Sequence, residues 1–280
     1  MVAAAAVLWS TAGLFVRALH MDVWTMLAWR SVFAALSLAL VVLVKHGRRT
    51  WKGVRAIGWS GVMAIPMAAV SMGSYVVALK LTTVANVMVV YATVPFVAAG
   101  IAYLWTGERI GGRFLVASAV ALVGIAVMAG FATRPRDLAG DAIAFLMTIA
   151  FGVQLVMARR HPAPDMAPVN AAGAALCAII CWPLTAAGIP DLHQLIVLAL
   201  FGVTTTSLAY ALFLTGGRHV PSGEAGLVGL LEVVLAPLWV WFAFDEQLGR
   251  AAIVGGALVL VPVLWYLTAG QRSETASRSS

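Results

Sequence analysis

A long segment of this sequence occurs twice. Residues 79–130 align without a gap to residues 217–268, at a constant offset of 138 positions that places Lys80 on Arg218. Each copy contains a turn, a long apolar helix, a short acidic turn and a second apolar helix. A duplication of this size indicates a fold built from two similar halves.

The composition places both halves in a membrane. The chain has 280 residues, of which 62% are hydrophobic and only 10% charged, and its mean hydropathy is +0.97. Soluble domains carry about 25% charged residues. Apolar runs of ~20 residues recur between short polar breaks, and that length spans a bilayer. The fold class is therefore an all-α polytopic membrane protein, since a β-barrel would show alternating segments of ~10 residues.

We predict ten transmembrane helices, numbered here as spans 1 to 10. They are expected at residues 2–18, 25–44, 57–79, 84–105, 113–131, 142–157, 167–188, 195–215, 223–244 and 251–268. The domain organisation that follows is a first five-helix repeat (1–131), a linker (132–141), a second five-helix repeat (142–268) and a disordered cytoplasmic tail (269–280). Because the chain starts inside apolar sequence, we expect the natural amino terminus to be longer or trimmed.

The number of spans in each half determines how the halves are oriented. Five is odd, so the second half enters the membrane from the opposite side, which makes an inverted repeat of the kind frequent in transporters. Most Lys and Arg residues lie in loops 2–3, 4–5, 6–7 and 8–9 and in the tail. The opposite side holds only Arg17, Lys80, Arg134, Arg136 and Arg250. The positively charged side is expected to be cytoplasmic, with both termini.

The net charge of +7 has the same explanation. The basic residues lie in short loops, where they set topology and contact anionic lipid, so no nucleic-acid partner is expected. Five of them lie in loop 2–3, at residues 45–55, whereas the equivalent loop 7–8 has no Lys or Arg. This difference is what two halves of opposite orientation require.

Several sequence stretches resemble the EamA-type carriers of the drug/metabolite transporter superfamily. They are the opening AVLWSTAGLFVRAL, the proline-bearing helix that ends in TGER, and LEVVLAPLWVWFAFDEQLG in the second half. Within that family the chain is similar to the aromatic amino-acid exporters of the YddG type. The resemblance implies a basket of ten helices around a central cavity, and a carrier that exports amino acids by alternating access across the bacterial inner membrane.

Glu232 is the sharpest candidate for a functional residue. It lies about ten residues into span 9, near the middle of the membrane, where an unpaired carboxylate costs several kcal/mol. It contacts a substrate ammonium or carries a proton, or else it is a protonated or paired acid that holds helices together. Its counterpart in the first half is Val94, so only one half carries the charge.

Polar and aromatic side chains inside the spans complete the predicted substrate site. An aromatic substrate requires ring faces and a few hydrogen-bonding groups in an apolar cavity, although each ring is also a candidate for simple packing. Together with Glu232, the predicted site comprises Trp9, Tyr75, Tyr91, Gln154, Tyr210 and Trp239. The spans that hold them are those that line the cavity in the related carriers.

Other charged residues have structural interpretations beside functional ones. Arg30, inside span 2, is able to bind a substrate carboxylate, but we favour snorkelling to the interface or bonding to carbonyls. Glu108 and Glu246 are expected to cap spans 5 and 10. Cys177 and Cys181 are four residues apart on one apolar helix and are interpreted as small core residues.

The sequence does not favour an enzyme. It lacks the HExxH, GxSxG and Walker-type motifs, and its five histidines lie at or near loops, so we expect no catalytic residues, no metal and no cofactor. Small residues in spans 5 and 10 indicate packing within one molecule, so a monomer is expected. Two alternatives stay open: a carrier of the same build for cationic drugs, nucleotide sugars or other metabolites, and a membrane enzyme or scaffold that transports nothing.

Overall fold

The structure is a computed structural model that describes residues 1–47, 58–107, 112–130, 135–160, 166–186, 188–217, 222–246, 249–250 and 253–265. These residues are almost entirely helical. The helices are α1 (Val2–Ser10), α2 (Ala12–Ala18), α3 (Val23–His46), α4 (Gly58–Leu81), α5 (Val84–Tyr91), α6 (Val94–Thr106), α7 (Gly112–Gly130), α8 (Pro135–Arg160), α9 (Met166–Cys181), α10 (Leu192–Gly202), α11 (Ala209–Gly217), α12 (Ser222–Phe244) and α13 (Ile253–Trp265).

The helices match the expectation of a polytopic membrane protein. In the described part of the chain, six helical segments are long and apolar enough to cross a membrane, and four shorter apolar ones accompany them. Side chains that face outward are apolar: Trp59 is 75% exposed and Phe242 78%. Two charged side chains in the middle of helices are instead buried: Arg30 is 4% exposed and Glu232 7%. A bilayer requires this arrangement, because lipid solvates the apolar surface and the polar groups find partners inside.

Eight of the predicted spans form a closed ring of helix contacts. Its order is α1, α12, α5, α8, α4, α9, α3 and then α10 with α11, which returns to α1. Around this eight-helix ring, helices that come before residue 134 in the sequence alternate with helices that come after residue 134. Every contact between ring neighbours therefore joins the first half of the chain to the second.

Contacts along the helices give their relative directions. Trp239 donates a hydrogen bond to Ser10, and seven residues further along both segments Arg17 pairs with Glu246. Spans 1 and 9 therefore run parallel. In contrast, α3 is antiparallel to α9, since the start of α3 lies against the residues that follow α9. These directions fit a chain that crosses the membrane alternately up and down.

Three spans of the ring are interrupted where hydroxyl side chains compete with the backbone. Between α5 and α6, Thr93 donates to the Val90 carbonyl. The break between α1 and α2 is at Thr11, whose Oγ1 donates to the Leu8 carbonyl. A π-helical segment, Val203–Leu208, separates α10 from α11. Within it Thr204 and Thr205 donate to the carbonyls four residues before them. Such back-bonding bends helices, and π segments recur at functional sites.

The helices α7 and α13 pack together beside α5. A Cβ on Gly124 of α7 would lie 2.9 Å from the carbonyl oxygen of Gly255 in α13, so the two backbones are in direct contact. Ala117 and Ala121 of α7 are buried, as expected for small residues at a close helix contact. Polar residues 135–141, expected in the linker, form the first turns of α8, and the tail (269–280) lies outside the described residues.

Polar bonds tie one end of the ring together; we call this set the polar clamp. Arg17 donates to Glu246 and to the carbonyls of Leu79 and Thr82, and Lys80 donates to the carbonyl of Leu19. At this end α2 also contacts α4 across the ring, so the helices converge. Asp141 of α8 joins the clamp by accepting bonds from Thr82 and Asn86.

The clamp gives Glu246 partners that the sequence did not predict. Glu246 was expected to cap span 10, the start of which lies outside the described residues, and its Oε1 accepts a hydrogen bond from the backbone nitrogen of Val84, at the start of α5. Arg17, on the side where positive charge is sparse, donates to its other oxygen at 2.6 Å. Local sequence favoured the cap, whereas a partner 162 residues away provides the bond. Glu108 lies outside the described residues.

Candidate functional site

Glu232 lies at the middle of α12, on the inner side of the eight-helix ring. It is 7% exposed and interacts electrostatically with Tyr75 of α4 and Tyr91 of α5. Among the described residues no side chain forms an ion pair or a hydrogen bond with it. An acid in this position, with hydroxyl-bearing rings around it and no partner of its own, is available to a ligand or a proton.

Tyr75 connects this acid to the opposite wall of the ring. Its hydroxyl is buried and has no hydrogen-bond partner, and the side chain interacts electrostatically with Glu232, Tyr91 and Arg30. Buried hydroxyls without a partner are rare in folded proteins, because each loses its bonds to water. The Tyr75 hydroxyl is thus a second unsatisfied group at the same place.

Tyr91 and Gln154 lie on neighbouring helices of the same wall. The Tyr91 ring packs against Phe151 of α8, with centroids 5.9 Å apart and the planes inclined by 46°. Gln154 is buried one helical turn after Phe151, on the same face of α8. The structure therefore relates Tyr75 and Tyr91 to Glu232, and Gln154 lies on the face of α8 that Tyr91 contacts through Phe151; we call these four predicted residues the acidic group.

The other three predicted residues lie on α1 and on the two helices that flank it, α11 and α12. Trp9 packs against Phe213 with ring centroids 5.3 Å apart, and Tyr210 lies one turn before Phe213 on α11. The Trp239 indole donates a 2.9 Å hydrogen bond to Ser10 and is 36% exposed. We call these residues, Trp9, Tyr210 and Trp239, the tryptophan group.

A single helix face relates the two groups. Glu232 and Trp239 are seven residues apart on α12, which puts them two turns apart on one side of the helix, at about 10 Å by the helical rise. The acidic group supplies charge and hydrogen-bonding groups, and the tryptophan group supplies ring surface. A small molecule with an aromatic side chain and a polar head would match this combination.

Arg30 is the buried cation beside the acidic group. It is 4% exposed, and its guanidinium lies 4.5 Å from the centre of the Phe201 ring, which stacks on Phe15 at 5.2 Å. Its Nη2 donates to Thr206 in the π segment at 3.3 Å, and its Nε has no partner. The expectation that Arg30 snorkels to the interface is not met, because the guanidinium is enclosed by protein.

Sequence reasoning missed the phenylalanines of the site. It searched the spans for side chains that form hydrogen bonds and so passed over Phe151, Phe201 and Phe213. One signal was present, because Phe151 and Phe213 each lie one helical turn from a residue that was selected, Gln154 and Tyr210. No sequence signal pairs Phe201 with Arg30, since 171 positions separate them.

The described residues contain no group of three or more His, Cys, Asp or Glu side chains placed to hold a metal ion. The cysteines Cys177 and Cys181 are buried and free, which agrees with their interpretation as small core residues.

Comparisons with known proteins agree with a membrane carrier. The model of the EamA-like transporter family matches residues 1–130 and again residues 138–268. An uncharacterized transporter of Archaeoglobus fulgidus is 25% identical over 92% of each chain. A crystal structure that is 20% identical has a similar fold, with a TM-score of 0.65 over 97% of this chain and 96% of that one.

The two family matches together span nearly the whole chain. The family and the curated relative indicate a transporter rather than an enzyme, and the apolar helices agree with a multi-pass membrane protein. On these grounds the chain belongs to the EamA-like transporter family.

Proposed function

We propose that this protein exports aromatic amino acids, in the manner of the YddG-type exporters. In this proposal it is a secondary carrier of the bacterial inner membrane, with ten spans, both termini in the cytoplasm and one chain as the working unit. Two five-helix halves, residues 1–131 and 142–268, insert in opposite senses and rock about a central site by alternating access.

The observation that carries the proposal is the unpartnered carboxylate of Glu232. A charge near the centre of a bilayer costs about 2.5–3.5 kcal/mol on insertion scales, so such residues mark substrate or proton pathways. Here it interacts electrostatically with Tyr75, whose hydroxyl is buried without a partner, and ring surface lies two turns away at Trp239. The ammonium of an amino acid satisfies the acid, and an aromatic side chain matches the rings.

The ring supports the proposal of two inverted halves. Replacing each span by its equivalent in the other half, span 1 by span 6 and so on, leaves the order of the eight-helix ring unchanged. The parallel spans 1 and 9 correspond to spans 6 and 4. These also run parallel, since Asn86 meets Asp141 near their starts and Tyr91 meets Phe151 further along both. This is the symmetry expected of a two-fold axis in the membrane plane.

A proline in one ring helix and a π segment at the equivalent position of another support a rocking motion. Pro66 lies inside α4, and the residue 138 positions later, Thr204, lies in the π segment between α10 and α11. Both features weaken the backbone ladder at the same level of the repeat. Helices that bend at matching positions provide hinges for gates on the two sides of the site.

Flux through proteoliposomes tests the proposal. Wild-type protein is reconstituted, and counterflow of labelled tryptophan and phenylalanine is compared with that of the Glu232→Gln and Glu246→Gln variants. We expect flux for the wild type and for Glu246→Gln, and flux near that of empty liposomes for Glu232→Gln. No wild-type flux from protein that retains its helical circular dichroism would remove the amino-acid assignment.

The same preparation tests the alternative cargoes. Tetraphenylphosphonium represents cationic drugs, and a nucleotide sugar represents bulky anionic metabolites. Transport of the cation without tryptophan would favour the drug carrier, for which Glu232 is also a suitable site. Inside-out and right-side-out membrane vesicles are prepared from cells that overproduce the protein. Comparing tryptophan uptake by the two kinds of vesicle establishes whether net movement is outward.

A further inference from the structure

We infer that Arg30 is the anchor for the carboxylate of the transported molecule, and that Arg30 and Glu232 together select zwitterions. This inference rests on the proposed function, because it assigns a second contact in the same central site. It replaces the structural interpretation of Arg30 that the sequence alone favoured.

The first argument is the number of hydrogen-bond donors on Arg30 that the protein leaves unused. A guanidinium has five N–H groups, and in this protein one of them meets an acceptor, Thr206 Oγ1, at a long 3.3 Å. The Nε atom is fully enclosed and has no partner. A buried cation in this condition is costly unless an anion or several acceptors complete its bonding.

The second argument is that no acid of the described residues neutralises Arg30. The groups that interact with it electrostatically are Cys177 of α9 and Tyr75 of α4. Glu232 interacts with the tyrosines but forms no ion pair with Arg30. A bound carboxylate would supply this counter-ion, because it fits the flat two-pronged guanidinium.

The third argument is that the guanidinium is held in a fixed orientation. Its face rests on Phe201, which stacks on Phe15, and Nη2 is tethered to the π segment at Thr206. A close helix contact sets the height of Arg30, since a Cβ on Gly202 would lie 2.6 Å from the Arg30 carbonyl oxygen. Side chains locked in this way are suited to position a ligand.

Tyr75 joins the two ends of the site. It interacts electrostatically with both Arg30 and Glu232, and its buried hydroxyl has no partner in the protein. This hydroxyl has a hydrogen bond to donate, and a carboxylate held by Arg30 would accept it. An ammonium on the same molecule then meets Glu232, so each of the three unsatisfied groups gains a partner from one zwitterion.

Three ligands that share an indole ring separate these contacts: tryptophan, tryptamine, which lacks the carboxylate, and indole-3-propionate, which lacks the ammonium. Binding of each is measured by calorimetry on the purified full chain, for wild type, Arg30→Gln and Glu232→Gln. We expect Arg30→Gln to weaken tryptophan and indole-3-propionate at least ~30-fold and tryptamine by no more than about threefold. Glu232→Gln has the mirror effect, weakening tryptophan and tryptamine and sparing indole-3-propionate.

Two further variants test whether Arg30 binds the ligand carboxylate or only holds α3 against the π segment. Thr206→Val removes the tether and keeps the guanidinium, so it should weaken the two carboxylate ligands less than Arg30→Gln does and leave tryptamine within about threefold of wild type. Arg30→Lys keeps the charge but loses the planar fork, so it should bind carboxylates better than Arg30→Gln and worse than wild type. If Arg30→Gln does not fold, Arg30→Lys is compared with the wild type instead, and it should weaken the two carboxylate ligands but not tryptamine.

The outcomes separate the two claims. Equal weakening of all three ligands by Arg30→Gln, or the same loss in Thr206→Val, overturns the anchor. The anchor is also overturned, and a cation carrier favoured, if the wild type binds tryptamine but binds neither tryptophan nor indole-3-propionate. If wild type binds none of the three, the proposed function fails and the anchor fails with it.

Discussion

Arg17 and Glu246 form an ion pair across 229 positions of sequence, with Nε 2.6 Å from Oε2. Arg17 also donates to two carbonyls at the end of α4, and Glu246 also accepts from the start of α5. One pair therefore joins spans 1, 3, 4 and 9 at the same end of the ring. Both side chains are only about one-fifth exposed, so solvent screens the pair weakly.

We predict that removing Arg17 destabilises the protein more than removing Glu246. Arg17→Gln leaves two carbonyls unsatisfied and should lower the free energy of unfolding by about 1–3 kcal/mol. Glu246→Gln retains an acceptor for the Val84 amide and should cost about 1 kcal/mol or less. Unfolding in mixed micelles measures both values, and a double-mutant cycle gives the coupling.

Arg250 provides the matched control for these variants. It is exposed and lies four residues beyond Glu246, on the same side of the protein. Arg250→Gln should leave the unfolding free energy within about 0.5 kcal/mol of wild type. Equal effects for Arg17→Gln and Arg250→Gln would mean that the clamp contributes no specific stability.

Tyr75→Phe should separate binding from stability. The Tyr75 hydroxyl is buried without a partner, so deleting it removes an unsatisfied group and should leave stability unchanged or raise it by up to about 1 kcal/mol. The same change should raise the KM for tryptophan about five- to thirtyfold, since a ligand bond to a buried hydroxyl is lost. Tyr103→Phe, at a side chain that is 48% exposed, is the control and should alter neither quantity. A stability loss in Tyr75→Phe without a change in KM would show that the hydroxyl is structural.

Gly202→Ala tests the close contact that fixes Arg30. The added Cβ would lie 2.6 Å from the Arg30 carbonyl oxygen and 2.9 Å from the Ala34 nitrogen, so α3 and α10 must separate. We expect a loss of about 1–3 kcal/mol in unfolding free energy, together with weaker tryptophan binding. At Gly100 the added Cβ meets no atom within 4 Å, so Gly100→Ala should be neutral or slightly stabilising. If the two variants behave alike, the helix contact is not as close as the structure describes.

Separate expression of the two halves tests the alternating ring. Each ring helix has both of its neighbours in the other half, so a fragment of residues 1–133 lacks every ring contact. It should be degraded or aggregate when expressed alone, and should accumulate when residues 134–280 are expressed with it. Steady-state fragment levels in isolated membranes measure this. Stable accumulation of one fragment by itself would contradict the interdigitated arrangement.

The general architecture could be read from the sequence because it depends on local properties. Apolar run length fixed the approximate position of each span, and the 138-residue offset related the halves. The interruptions were harder to predict: residues 195–215 were expected as one helix, whereas Thr204 and Thr205 turn part of it into a π segment by bonding backward. Their effect depends on competition between side chain and backbone, which the hydropathy of the span does not report.

Long-range contacts account for the rest of the difference. Glu232, Tyr75 and Tyr91 were selected one at a time as polar or aromatic groups inside apolar spans, and the structure brings them together. The partners of Arg30 and Glu246 were not predicted, because Thr206 and Val84 carry no mark that identifies them as partners. Which helices become neighbours is decided by the packing of the whole ring.

Counterflow of labelled tryptophan into proteoliposomes preloaded with unlabelled tryptophan tests the central claim, a carrier whose buried acid receives the solute from either side. Only a protein that re-orients with bound solute accelerates entry in this way. The account predicts transient accumulation of label above equilibrium for the wild type and none for Glu232→Gln. Absence of accumulation in folded wild-type protein, or the same accumulation in Glu232→Gln, would contradict it.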